Sequence, residues 1–370
     1  MNRHEMALDI LHKGTVIPAI PLVLDEHREF NQEGQRKLIR YYLNAGVGGL
    51  AVAVHTTQFE IRNPGIDLLE PVLRIAAEEI DAFEKESGKT IVRVAGVCGK
   101  IEQACREATL AKELGFDAVL LSPSGLADLT EEDLIERTHA VAEVMPVIGF
   151  YLQVACGGRR LSYDYWKAVA DTPNVVAIKC ASFNRYQTLD LVRGVAFSQR
   201  REEVALYTGN DDNIVVDLLT PYRFHVDGKP VEMRFVGGLL GHWSVWTHNV
   251  VKLYEMLRQY QDGRDIPANL LTLAAEVTDS NGALLVNDSY SGATVCTCVR
   301  ELQPLSSSFV ERVHYSFCND DKLQPDFIFV FGCTNDSWLG REVGQVQYES
   351  WTEDDVKCVL PAYCYVFDQL

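Results

Sequence analysis

No stretch of the 370 residues approaches the roughly 20 consecutive apolar residues needed to span a bilayer, which argues against a membrane-spanning helix. The opening residues, Met1-Asn2-Arg3-His4-Glu5, lack the apolar segment of a secretory signal, so a cytoplasmic location is expected. Basic residues are scarce beside acidic ones: 34 Lys and Arg against 52 Asp and Glu leave a net charge of -18. That balance argues against nucleic acid as a partner, because phosphate binding needs basic patches. A small anionic substrate stays open, since a local cationic site fits within an acidic protein. The imbalance is uneven, with 29 basic against 37 acidic residues through position 270 and 5 against 15 after it.

Other absences narrow the class further. Ten cysteines in a chain of this length make no disulfide framework. Cys296 and Cys298 are separated by one residue, closer than the usual zinc pair, and no His/Asp/Glu set recurs at successive strand ends. Neither a metal nor another cofactor is expected. No G-x-G-x-x-G turn follows the first apolar run, which disfavours a doubly wound dinucleotide-binding sheet.

What is present is a regular alternation. Short apolar runs at 16–24, 48–54, 90–97, 117–121, 146–151, 175–179, 204–208 and 234–240 read as strands. Amphipathic stretches near 31–45, 67–87, 101–115, 130–144, 162–172, 184–199, 211–220 and 244–261 read as helices. Thr130 with Asp133 makes a capping-box variant, and Asp211-Asp212 are candidate caps for the seventh helix. Eight strand-helix units predict an α/β fold, a (β/α)8 TIM barrel over 1–264. An Asp227-Gly228 pair between alternating segments predicts a hairpin before the last strand. A C-terminal helical extension is expected over 265–287, and 288–370 form an appended region, an irregular tail of uncertain fold.

Barrel enzymes keep their chemistry at the C-terminal ends of strands. The sixth run, Val175-Val176-Ala177-Ile178, ends in Lys179. A lysine desolvated there has a lowered pKa and a free amine able to attack a carbonyl; the other reading is a lysine snorkelling out of a buried strand. Tyr151 ends the fifth run at what reads as the matching depth, as a proton donor and acceptor or as a core aromatic. Thr56 and Thr57 follow the second run and offer hydroxyls and backbone N–H groups to a carboxylate. Gly237-Gly238 and Gly241-His242 close the eighth, where His242 is either an acid/base group or a polar rim residue.

The segments Val54-His55-Thr56-Thr57, Phe150-Tyr151, Ala177-Ile178-Lys179 and Thr208-Gly209-Asn210-Asp211 resemble, in order and placement, the dihydrodipicolinate synthase/N-acetylneuraminate lyase family of Schiff-base aldolases over roughly 13–286. The resemblance implies that Lys179 forms an imine with a 2-oxo acid, usually pyruvate. It implies Tyr151 as proton shuttle and Thr56 and Thr57 as carboxylate clamp. By the resemblance Gly209 lines the pocket and the protein is a homodimer or homotetramer; of Asn210, Asp211 and Asp212 that follow it, one is a candidate to orient a substrate hydroxyl and its neighbours to cap the next helix. His55 and Gln58-Phe59 depart from the family's G-T-T-G-E segment, and Ser122-Pro123-Ser124-Gly125 lacks the tyrosine that synthases place across a subunit interface. Leu152-Gln153-Val154 stands where synthases carry Asn-x-Pro; Arg159 and Arg160 are candidates for a second carboxylate or are surface charges. The expected activity is a metal-independent lyase or aldolase on a 2-oxo acid. The alternatives are a dehydratase or retro-aldolase of a 2-oxo-3-deoxy sugar acid, or a silent barrel that binds a small metabolite.

Overall fold

The computed structural model describes residues 1–261, which lie in the first of two units, Met1–Leu270 and Leu271–Leu370. The expected boundaries at 264 and 287, and the helical extension between them, fall outside the described residues. Eight parallel strands form one sheet: β1 (Val16–Pro18), β2 (Gly49–Val52), β3 (Val92–Val97), β4 (Ala118–Leu121), β5 (Val147–Leu152), β6 (Val175–Ala181), β7 (Ala205–Thr208) and β10 (Phe235–Leu240). They run in the order β1-β10-β7-β6-β5-β4-β3-β2. A bridge between Ala19 and Ala51 closes the seam, where the Ile20 N–H donates to the Ala51 carbonyl at 3.0 Å. The fold is a (β/α)8 TIM barrel.

The eight helices expected between and after the strands all form: α2 (Gln32–Ala45), α3 (Leu69–Ser87), α4 (Ile101–Glu113), α5 (Glu131–Val144), α6 (Tyr163–Asp171), α7 (Arg185–Ala196), α8 (Ile214–Leu219) and α9 (Thr247–Gln261). Thr130 and Asp133 make the expected reciprocal cap on α5. The hairpin forms from β8 (Tyr222–Val226) and β9 (Lys229–Met233), with Asp227 and Gly228 at φ 51° and 75°, both left-handed as a type I′ turn requires. The described helices include none long and apolar enough to cross a membrane.

One element is unanticipated. Helix α1 (Arg3–Lys13) starts on a capping box between Asn2 and Glu5. Its Ala7 and Leu11 join the apolar cluster inside the barrel, and the Tyr207 hydroxyl donates to the Leu11 carbonyl at 2.7 Å. Arg3 pairs with Glu84 at 2.9 Å and with Asp117, beside the starts of β3 and β4. The helix therefore packs against the N-terminal end of the barrel, and polar chemistry is left to the opposite end.

Strand alternation sorts the side chains into two layers. Ile148, Phe150 and Leu152 of β5, Ala177 and Ala181 of β6 and Tyr207 of β7 pack together inside. Tyr151, Ile178, Cys180 and Leu206 belong to the shell between barrel and helices. Which layer a residue occupies decides its part in the site.

Candidate functional site

Lys179 pairs in register with Phe150 on one side and Tyr207 on the other, so all three share the inner face. Its amine lies 4.4 Å from the centroid of the Phe150 ring, and the residue is buried. Burial lowers the amine pKa from its ordinary 10.5 to about 8, while the charges of Asp211 and Cys156 pull it back upward. A usable fraction of free amine thus exists near neutral pH. Burial pushes the Cys156 thiol up to about 11, so at that pH the neighbour is a neutral thiol. Burial, with the lysine charge added, brings His55 down to about 4, so that imidazole is uncharged as well.

Tyr151 is the main correction. It pairs with Cys180, one residue out of step with the lysine, and side chains one position apart on a strand face opposite ways. Its ring packs against Trp166 of α6 with centroids 5.1 Å apart. The hydroxyl donates to Gln187 Oε1 at 3.0 Å and accepts from the Leu161 N–H at 3.3 Å. The phenol expected to shuttle protons is bound into the helix layer, and Phe150 occupies the position facing the amine. Tyr207 shares the inner face, but its hydroxyl is held by Leu11 of α1. Among the described residues, no phenol is brought to the lysine.

The loop after β2 divides its two threonines. Thr57 is fully buried and its hydroxyl donates to the Ile20 carbonyl at 2.7 Å, which makes it a support for the β1–β2 seam. This corrects its expected place in a carboxylate clamp. Thr56 is half-buried and stands against Gly241, where an added Cβ would come within 2.8 Å of its hydroxyl. His55, one residue earlier, is near enough to feel the lysine charge, and its ring lies 5.5 Å from that of Phe59. Arg62 anchors the loop through Glu107 at 3.0 Å and through the carbonyls of Ala53 and Gly96. Gln58 adopts φ 80°, ψ 125°, a conformation open almost solely to glycine, which costs about 1–3 kcal/mol. Gln58→Gly is therefore expected to raise the melting temperature by about 2–4 °C, a net gain near 1 kcal/mol once the added freedom of the unfolded chain is offset. Calorimetry checks this, and a lower melting temperature would contradict it.

The end of β7 carries the other wall. Gly209 touches the lysine stem: a Cβ there would lie 2.5 Å from Lys179 Cε, and the Gly209 N–H donates to the Cys180 carbonyl at 2.7 Å. Gly209→Ala must push the amine aside, and a displacement near 1 Å costs about 10²-fold in rate. Trapping of a carbonyl compound by the purified variant measures it; an unchanged rate would mean that the glycine does not shape the pocket.

Asn210 is fully buried and engaged, accepting from the Phe183 N–H at 2.9 Å and donating to Asp217 Oδ2 at 2.9 Å. It holds the loop and is not presented to a substrate, which corrects its expected role. Asp211 and Asp212 do not cap α8 either, because the N-cap is Asn213, whose side chain makes no capping bond. They occupy the centre of a turn closed by the Asn213 N–H to the Asn210 carbonyl at 2.9 Å.

Asp211 is open to water on one face yet ringed by protein. That burial raises its carboxyl pKa and Asp212 adds to the rise, while His242 and Lys179 lower it; the open face tempers the shift. His242 is exposed on the rim beside this carboxylate. Arg159 is tied to the Leu129 carbonyl, whereas Arg160 is exposed.

The strand ends therefore bring Phe150 and Gly209 against Lys179, with His55, Cys156 and Asp211 near enough for their charges to act on one another and Thr56 and His242 on the rim. Such a set is a poised amine beside an apolar ring with a carboxylate in electrostatic reach, suited to carbonyl addition. Phe150 and His55 were absent from the expected site residues; Phe150 is set by register, as the β5 partner of Lys179.

Comparisons with known proteins bear on this arrangement. The model of the "Dihydrodipicolinate synthetase family" matches residues 12–220, which include the inner site apart from the β10 rim. A second model, "GDSL-like Lipase/Acylhydrolase", matches residues 270–370. The chain is 26% identical over 208 residues to an N-acetylneuraminate lyase of Citrobacter koseri, covering 55% of this chain and 65% of that protein. The lyase of Salmonella typhimurium gives the same figures, so the chain spans just under two thirds of these relatives. Among solved structures, the dihydrodipicolinate synthase of Acinetobacter baumannii, complexed with pyruvate, superposes at TM-score 0.56 and 18% identity over 71% of this chain and 80% of that one. A pyruvate-bound prophage protein of the same family from E. coli K12 gives 0.55 and 19% over 71% and 78%. Both likenesses are of fold.

Proposed function

The chain belongs to the dihydrodipicolinate synthetase family, and from that premise we propose that it is a Schiff-base lyase or aldolase acting on a 2-oxo acid of the pyruvate type, with Lys179 as the imine former. The observation that carries the reading is the buried amine on the inner face at the strand end, with pKa lowered to about 8 and Gly209 leaving room beside its stem. A protonated imine withdraws electrons from the adjacent carbon and stabilises the carbanion formed when a C–C bond breaks or forms. Thr56, half-buried on the rim between the β2 and β10 ends, is the remaining candidate to meet the substrate carboxylate, and His242, exposed on the rim, is the candidate for the distal part of the substrate. Relatives named N-acetylneuraminate lyase and pyruvate-bound structures of the same fold support a 2-oxo acid as substrate. The exposed His242 on the rim favours a hydroxylated chain beyond the oxo carbon, in keeping with retro-aldol cleavage or dehydration of a sugar acid.

Borohydride reduction in the presence of pyruvate tests the reading. One reduced pyruvate adduct, mapped to Lys179, is expected; no adduct with pyruvate or longer 2-oxo acids would favour a silent barrel.

For residues 270–370 we propose ester hydrolysis, supported by the match to the acylhydrolase model. Turnover of p-nitrophenyl acetate by the full chain is expected to survive Lys179→Ala. No hydrolysis above the buffer rate would contradict it.

A further inference from the structure

Imine chemistry needs a group that carries protons to and from nitrogen, oxygen and carbon, and among the described residues no phenol is brought to the amine. The Tyr151 hydroxyl is held by Gln187 and Leu161 in the helix layer, and the Tyr207 hydroxyl by Leu11. Phe150, facing the amine, has no proton to give. His55 is held largely as neutral imidazole, which leaves it a poor acid. Cys156, with its thiol near 11, stays protonated near neutral pH and has no thiolate to accept a proton.

Resting on the lyase reading above, we propose that Asp211 is the proton carrier of the reaction at Lys179. The turn that bears it is built to hold position. Gly209 abuts the lysine stem and is pinned to Cys180, Asn210 is clamped between Phe183 and Asp217, and the Asn213 N–H closes the turn at 2.9 Å. Asp211 sits at the centre of that turn, does not cap the following helix, and interacts electrostatically with the amine. Burial lowers the amine pKa and the protein around Asp211 raises that of its carboxyl, so the two shifts narrow the gap between donor and acceptor.

The steps balance. The lysine ammonium gives one proton to the Asp211 carboxylate, and the freed amine adds to C2 of the oxo acid. A second N–H proton neutralises the resulting alkoxide. Asp211 then returns its proton to that hydroxyl, which leaves as water; ammonium plus carbonyl have become protonated imine plus water. The carboxylate next accepts a proton from C3, the C–H pair forms the enamine double bond, and the C=N pair returns to nitrogen.

Exchange of the pyruvate methyl protons in deuterium oxide, followed by NMR, reads the last step without knowledge of the second substrate. With the full chain, Asp211→Asn is expected to slow borohydride trapping at Lys179 without abolishing it, and to lose exchange by about 10²–10⁴-fold. Asp211→Glu and Asp212→Asn should both keep measurable exchange and the wild-type melting temperature. Phe150→Tyr added to Asp211→Asn should restore part of the exchange by placing a hydroxyl over the amine. The pH midpoint of trapping should also fall in Asp211→Asn, because the carboxylate charge raises the lysine pKa. Wild-type exchange in Asp211→Asn, or equal losses in Asp211→Asn and Asp212→Asn, would overturn the assignment while leaving the lyase reading intact. Absence of trapping in the wild type would instead overturn that reading.

Discussion

Lys179→Met should abolish pyruvate trapping, lower turnover by about 10⁴-fold or more, and yet make the protein more stable. The two effects share one cause. Burial holds the amine at about 8 against an ordinary 10.5, so the folded state carries a penalty at every pH below about 8, and that penalty fades as the pH rises through 10.5. At pH 7 it amounts to about 3 kcal/mol, which an unbranched apolar side chain in the same volume does not incur. Thermal melts of both proteins at pH 7 and pH 10 check the sign: the stabilisation should shrink at the higher pH. By the same logic, trapping by the wild type should rise about tenfold per unit up to roughly pH 8 and then level off, as the amine loses its proton. A variant that traps nothing because it does not fold would show the opposite change in melting temperature.

The second large effect is expected at Asp217, which takes no part in the proposed proton transfers. Its carboxylate is fully buried and accepts from Thr208 Oγ1 at 2.7 Å, Asn210 Nδ2 at 2.9 Å and Asn213 Nδ2 at 3.1 Å, and it pairs with Arg185. Asp217→Ala leaves these donors without an acceptor in the interior, which costs about 3–5 kcal/mol. The melting temperature should fall by about 10 °C. The same substitution releases the clamp on Asn210, so the turn carrying Gly209 and Asp211 loosens and exchange should fall as well. Asp217→Asn keeps the shape and part of the bonding and should lose less of both. Equal stability in Asp217→Ala and the wild type would show that the network is not what holds the strand end.

The sequence and the structure part company where a strand's period of two matters. Eight apolar runs were enough to place every barrel strand, since burial on both faces writes itself as continuous hydrophobicity. The same continuity hides which face a residue takes. Gly149-Phe150-Tyr151 reads equally well in either phase, and the order of motifs drew attention to Tyr151 when the register partner of Lys179 is Phe150. Lys179 was legible because a lysine ending a buried run is conspicuous. Asn210 and Thr57 were polar residues at strand ends, and only their partners, Asp217 and the Ile20 carbonyl, reveal that both are committed to structure. Helix α1 was overlooked although Asn2-x-x-Glu5 is a capping signal; its short apolar stripe, Ala7 and Leu11, is weak in isolation and meaningful only against the barrel interior.

The most direct test is a crystal of the protein soaked with pyruvate and reduced in place. Continuous density from Lys179 Nζ to the second carbon of pyruvate is expected, with the Phe150 ring beside it and the Tyr151 hydroxyl still bound to Gln187. An amine turned toward the helices, or a tyrosine hydroxyl swung inward over an unmodified lysine, would contradict the proposed chemistry at its root.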